Sequence, residues 1–333
     1  MADTGSRRTQ ADRGARLILW GWILTAVGVV MLMVGVGGGN AVNSAADGDY
    51  SRPGPWIAFA VLLAVALPGI PLLVRGRTMR AQGRQLKATT LESFDSVLNG
   101  RYVLYLRPFD FDEAMRELPT EPPSRLWSSE FNLSSRTHEE SLLRWFRKTG
   151  RSVAVGRPDE THPMPGADRG YLRHDDWKEV VGRLIARAHS VLISIGPRPG
   201  TVWEFTEALR ACPPERVILP VYRRPEAYAR FVHMVREEYH RRKRTEAGPW
   251  PEPPTFPAYP LKRHPNRRDW DFALKGVITF DSQWRGEFTY FDPTLPLIPV
   301  MLAFDRIQRQ GMRPLAERLA SLPDRDIRPP ESL

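Results

Sequence analysis

The chain of 333 residues has a single cysteine, Cys212, which excludes a disulfide framework and a cysteine-rich zinc site. Its seven histidines show no H-E-x-x-H or comparable metal spacing, and no G-x-x-x-x-G-K-[ST] or G-x-G-x-x-G loop is present. The 25 glycines follow no repeat, so fibrous and collagen-like readings fall away. Acidic residues are in deficit: 48 Lys and Arg against 38 Asp and Glu leave a net charge of +10. At 42% hydrophobic and 10% aromatic residues the chain is too apolar to be disordered.

The apolar residues are unevenly spread. Leu17–Val36 (LILWGWILTAVGVVMLMVGV) and Trp56–Val74 (WIAFAVLLAVALPGIPLLV) carry no charge, and each is about long enough to cross roughly 30 Å of hydrocarbon as a helix. Pro68 and Pro71 predict a kink in the second. Trp20, Trp22 and Trp56 sit near the run ends, where indoles favour the interface. Arg7, Arg8, Arg13 and Arg16 precede the first run, and Arg75, Arg77, Arg80, Arg84 and Lys87 follow the second. The connecting loop has Asp47, Asp49 and Arg52. Positive charge stays inside, so a transmembrane hairpin (17–74) with both chain ends cytoplasmic is expected, in the cell membrane. A cleaved signal peptide is the alternative for the first run. In that case the second run still leaves everything after Arg75 cytoplasmic. The basic stretch 75–100 reads as a juxtamembrane linker beside anionic headgroups; a nucleic-acid partner is disfavoured.

From Arg101 short apolar runs alternate with amphipathic stretches. Strands are expected at Tyr102–Leu106, Ser152–Val155, Val191–Ile195, Val217–Val221 and Gly276–Phe280. Helices are expected at His138–Lys148, Asp176–His189, Thr201–Ala211 and Pro225–Arg244, with closing helices over Pro299–Leu322. This alternation predicts an α/β domain, 101–323, with a parallel sheet and helices on both faces, before a short tail, 324–333. Gly248–Arg268 is Pro-rich and reads as an extended insertion, either a recognition segment or a surface loop.

Ligands of an open parallel sheet bind beyond the carboxyl ends of its strands. Arg107, Arg157, Arg198 and Arg223 each follow such an end, and guanidinium forks suit phosphates. Phe109, Asp110 and Asp112 follow the first strand; the two aspartates either hold Mg²⁺ with a phosphate or turn the loop. Gly200-Thr201-Val202-Trp203-Glu204-Phe205-Thr206-Glu207-Ala208 opens the third helix. A carboxylate there, Glu204 or Glu207, can attack or stabilise the anomeric carbon of a ribose as its N-glycosidic bond breaks. The competing reading is a capping box, Thr201-x-x-Glu204, that only ties off the helix, with Trp203 in the core. Catalysis requires the carboxyl to reach the surface.

This segment, together with Tyr102–Asp112, Ser141–Gly156 and the Pro-containing strand Arg216–Tyr222, resembles TIR-like domains over roughly residues 100–225. Their Trp-x-x-x-Glu motif falls on Trp203 and Glu207. The related nucleoside deoxyribosyltransferases carry Gly-Thr-x-aromatic-Glu-x-x-x-Ala, which falls on Gly200, Thr201, Trp203, Glu204 and Ala208 and selects Glu204 instead. The resemblance implies a flavodoxin-like fold and a glutamate that opens an N-glycosidic bond, as in bacterial TIR-like domains that release nicotinamide from NAD. It implies self-association into homo-oligomers; in this reading no metal or separate cofactor is needed, and Arg107, Phe109, Asp110, Arg157 and Arg198 at the strand ends, with Trp203, are the candidate substrate contacts. It equally admits a non-catalytic signalling or scaffold module that binds a partner or nucleotide. A weaker reading is a basic surface that binds anionic lipid through 75–87 and 241–244.

Overall fold

The computed structural model describes residues 3–47, 51–88, 90–91, 93–108, 137–156, 165–172, 177–264, 274–292 and 300–325. These fall into two units, 3–88 and 90–325.

The first unit is a helical hairpin. Helix α1 (Asp3–Ala46) returns through α2 (Pro53–Ala66) and α3 (Gly69–Leu86), which break from one another at Leu67 and Pro68, the expected kink. Two stretches, Asp12–Ala46 and Pro53–Leu86, are long and apolar enough to cross a membrane. Glycines spaced by seven let the helices touch. A Cβ at Gly14, Gly21 or Gly28 would lie 2.7, 2.5 or 2.7 Å from the carbonyl oxygen of Gly83, Gly76 or Gly69. Such close backbone approach gives the helices dense dispersion contact along the seam. Arg80 is fully buried, its guanidinium 4.2 Å from the Trp22 ring.

The second unit is built on strands β1 (Tyr102–Leu106), β2 (Arg151–Gly156), β3 (Asp168–Tyr171), β4 (Ser190–Ile193), β5 (Val217–Val221), β6 (Gly276–Phe280) and β7 (Gly286–Tyr290). Their order is β3-β2-β1-β4-β5-β6-β7. The first five are mutually parallel, with Val103 paired to both Ser152 and Ser190. β6 and β7 are antiparallel. The expected all-parallel sheet is therefore corrected to a mixed one, with β3 and β7 added.

Alternation along each strand divides the core. Tyr102, Leu104 and Leu106 face one layer; Val103 and Tyr105 face the other. The first layer holds α6 (Trp177–Arg187), α7 (Pro199–Ala211) and α8 (Pro225–Thr245); the second holds α5 (His138–Leu143) and α9 (Val300–Ser321). Leu91, Phe94, Val97 and Leu98, in and before the one-turn helix α4 (Asp95–Leu98), also enter the first layer. Part of the expected linker thus belongs to the domain, and the Leu91 amide bonds the Arg169 carbonyl at the sheet edge (2.7 Å).

The direction of β6 follows from the Pro-rich segment. Tyr239, Tyr228 and Tyr259 hydroxyls bond the carbonyls of Pro251, Pro257 and Arg223 (2.6, 2.6 and 3.4 Å), so the segment runs back along α8. α8 carries the chain away from the carboxyl edge of the parallel strands, and the extended prolines return it there. β6 consequently starts at that edge, Gly276 beside Val221. Phe256 packs against buried Phe205 (ring centres 5.5 Å), which makes the segment part of the first layer.

Candidate functional site

The chain leaves β1 toward α5 on one face and β4 toward α7 on the other, so the crevice between the carboxyl ends of these strands is a topological switch point. Its floor is tight: a Cβ at Gly196 would lie 2.3 Å from Pro108 Cγ. Arg107 follows β1 but is buried. It donates to Glu139 Oε2, and Arg169 Nη2 donates to both Glu139 oxygens (2.6 and 2.7 Å). Glu139 is fully enclosed, so its charge binds both guanidiniums in a low-dielectric setting where breaking the set is costly.

Polar groups gather around this triad. The Tyr105 hydroxyl and Ser194 Oγ lie 3.1 Å apart. Burial raises the Tyr105 and Tyr222 phenols well above their ordinary range, so both stay protonated. Burial also pushes His138 down to about 4, leaving it neutral at pH 7. Sequence reasoning missed Glu139, Arg169, Tyr105, Ser194 and Tyr222. Tyrosines inside otherwise aliphatic strands were a visible sign, because a buried phenol needs a partner.

α7 starts two residues before the expected point. Pro199 occupies its first position and Arg198 is the N-cap, with no side-chain cap. Thr201 is thus inside the helix and the competing capping-box reading of Thr201 and Glu204 does not hold. The box forms instead at α5, where Glu140 N donates to Thr137 Oγ1 (3.2 Å) and Thr137 N to Glu140 Oε2 (3.0 Å).

Glu204 therefore lies in the second turn of α7. The residue is partly exposed, but its Oε2 is shielded from water and has no hydrogen-bond partner, so the surface access expected of a catalytic carboxyl is not met at that oxygen. Burial pushes this carboxyl up to about 8, so it is mainly protonated at neutral pH. Glu207 differs. It accepts from Arg242 Nη2 (2.5 Å), and Arg242 also binds Glu246 and Thr206 Oγ1 while stacking between Trp203 and Trp250 (5.5 and 5.4 Å). Trp203 is half-buried and meets Trp177 edge-to-face at 5.0 Å. An open groove of about 460 Å³ begins at these two indoles; neither glutamate lines it.

Arg198 is exposed at the N-cap. Arg157, Phe109, Asp110 and Asp112 lie outside the described residues. The structure thus places Trp203, Glu204, Glu207 and Arg198 on one helix and its cap, and Arg107 in the Glu139 set. Among the described residues no cluster of three or more metal-ligating side chains occurs. No family model, curated protein or solved structure matches the chain.

Proposed function

We propose that the chain is a membrane-tethered enzyme whose cytoplasmic domain, flavodoxin-like and TIR-like in character, opens the N-glycosidic bond of NAD or a related nucleotide through Glu204. One observation carries this reading: Glu204 is the desolvated, unpartnered carboxyl of the helix that follows β4, while Glu207 is spent on Arg242. Departure of nicotinamide leaves oxocarbenium charge on the ribose. A carboxyl without a competing cation, in low dielectric, is well disposed to stabilise that charge. A cationic nicotinamide ribosyl group docked beside it would lower the carboxyl's pKa, and the proton would pass to solvent water.

The two long apolar helices and their glycine ladder support the tether. Seven residues forward on α1 match seven back on its partner, so 23–36 of the first uncharged run stands beside 61–74 of the second, an overlap of about 14 residues or roughly 21 Å of helix. Leu17–Trp22 then stands beside the basic middle of α3, Arg75–Arg80, at the inner interface, with Arg80 on Trp22.

A second reading has its own support. Arg107 is buried and bonded to Glu139, and the groove at Trp203 excludes both Glu204 and Glu207, an arrangement that suits a signalling or scaffold module binding without turnover. The full chain in liposomes, at low and high surface density, separates the two. Nicotinamide release by the wild type and its loss in Glu204→Gln support catalysis. Binding of NAD without release at either density supports the second reading. Loss in Glu207→Gln alone reassigns the carboxylate.

A further inference from the structure

We propose that the groove between α6, α7 and α8 is a nucleotide-binding subsite that stacks the base on a tryptophan corner and holds the phosphate on Lys178 and Arg241; this rests on the nucleotide reading above. Its volume, about 460 Å³, is within the range of small-molecule sites, about 300–1,000 Å³. Trp177, the first residue of α6, and Trp203 meet at an interplanar angle of 76°. A flat ring entering this corner stacks on one indole and meets the edge of the other, the two arrangements aromatic quadrupoles favour. Arg242 stacks on Trp203 from α8, and both indoles line the groove.

The rim supplies the charge. Lys178 is exposed, with Nζ 5.6 Å from the Trp203 ring and 6.0 Å from the Trp177 ring. Arg241 is held by Glu238 through Nε and Nη2 (2.8 and 2.6 Å), and neither bond uses Nη1. Its side chain is 53% exposed. Glu237 and Glu238 also line the groove, but Glu238 is bonded to Arg241 and Glu237 lies 3.2 Å from His233, so the Lys178 ammonium and Arg241 Nη1 are the donors left for a phosphate while the ring takes the indoles. At Gly200 a Cβ would meet only the Trp177 indole, at 3.9 Å, so the entrance carries no bulk beside the corner.

AMP is the probe, titrated by calorimetry into the full chain in detergent, in the Glu204→Gln background. Saturable binding is expected, weakened at least tenfold by Lys178→Glu and by Trp177→Leu. Adenosine should bind more weakly than AMP but remain sensitive to Trp177→Leu. Lys178→Glu alters an exposed side chain, so it tests the site even if Trp177→Leu fails to fold. AMP affinity unchanged by Lys178→Glu overturns the proposal, as does equal competition by inorganic phosphate. Self-association governed by Lys178 without any effect of AMP would make the groove an interface between copies and equally overturn it. Nicotinamide release by wild-type protein is read separately: release with AMP indifferent to Lys178→Glu defeats the subsite alone, and AMP bound through Lys178 without release defeats catalysis alone.

Discussion

Glu204→Gln should stabilise the protein at neutral pH while abolishing nicotinamide release. In the folded chain the carboxyl titrates near 8, against 4.5 for the ordinary group. The folded state therefore retains a proton that the unfolded chain releases, so stability conferred at acid pH is lost as pH rises from 4.5 through 8. At pH 7 the shift has cost about 3 kcal/mol, since each unit is worth about 1.4 kcal/mol. Glutamine has nearly the same shape and no titration, so it escapes that cost. The variant should match the wild type near pH 4 and exceed it by about 3 kcal/mol at pH 7. For a domain of this size that is a rise of roughly 6–12 °C in Tm. Denaturant unfolding of both full chains in detergent, at a series of pH values, reads the difference directly; every other titrating group cancels. Parallel stability profiles would refute the burial of Glu204, and a loss of stability would mean that its oxygens have partners.

Other perturbations probe the surrounding structure. Glu139→Ala strips the shared carboxylate from Arg107 and Arg169 and should cost about 3–5 kcal/mol by equilibrium unfolding. His138 titrates near 4 when folded, so its contribution is present above about 6.5 and lost as pH falls toward 4; His138→Asn should flatten that acid limb of the stability profile. Gly21→Leu places a side chain where Gly76 O lies 2.5 Å from a Cβ, and should lower the thermal aggregation midpoint in detergent. Gly37→Leu, where a Cβ meets nothing within 4 Å, should leave that midpoint unchanged.

Five strands were legible because each is an aliphatic run closed by a turn. β3 was not: Asp-Arg-Gly-Tyr has no apolar run and is held by pairing with β2 and by Arg169's bonds. β7 did carry a sign, since Phe288 and Tyr290 alternate with Glu287 and Thr289. The direction of β6 had none, because it depends on three tyrosine hydroxyls that lay the prolines back along α8.

The site shows the same division more sharply. Thr137-x-x-Glu140 and Thr201-x-x-Glu204 are the same pattern, yet only the first closes, because Pro199 starts α7 early and puts Thr201 within it. That proline was readable. Residue type cannot say which charges are already taken: Arg107 is matched by Glu139 and Glu207 by Arg242, each partner more than thirty positions away. Two spacing motifs chose different glutamates, and spacing alone could not rank them. Pairing does rank them. A carboxylate already bonded to a buried guanidinium would have to surrender that bond before serving a ribosyl cation, whereas Glu204 has no such bond to give up.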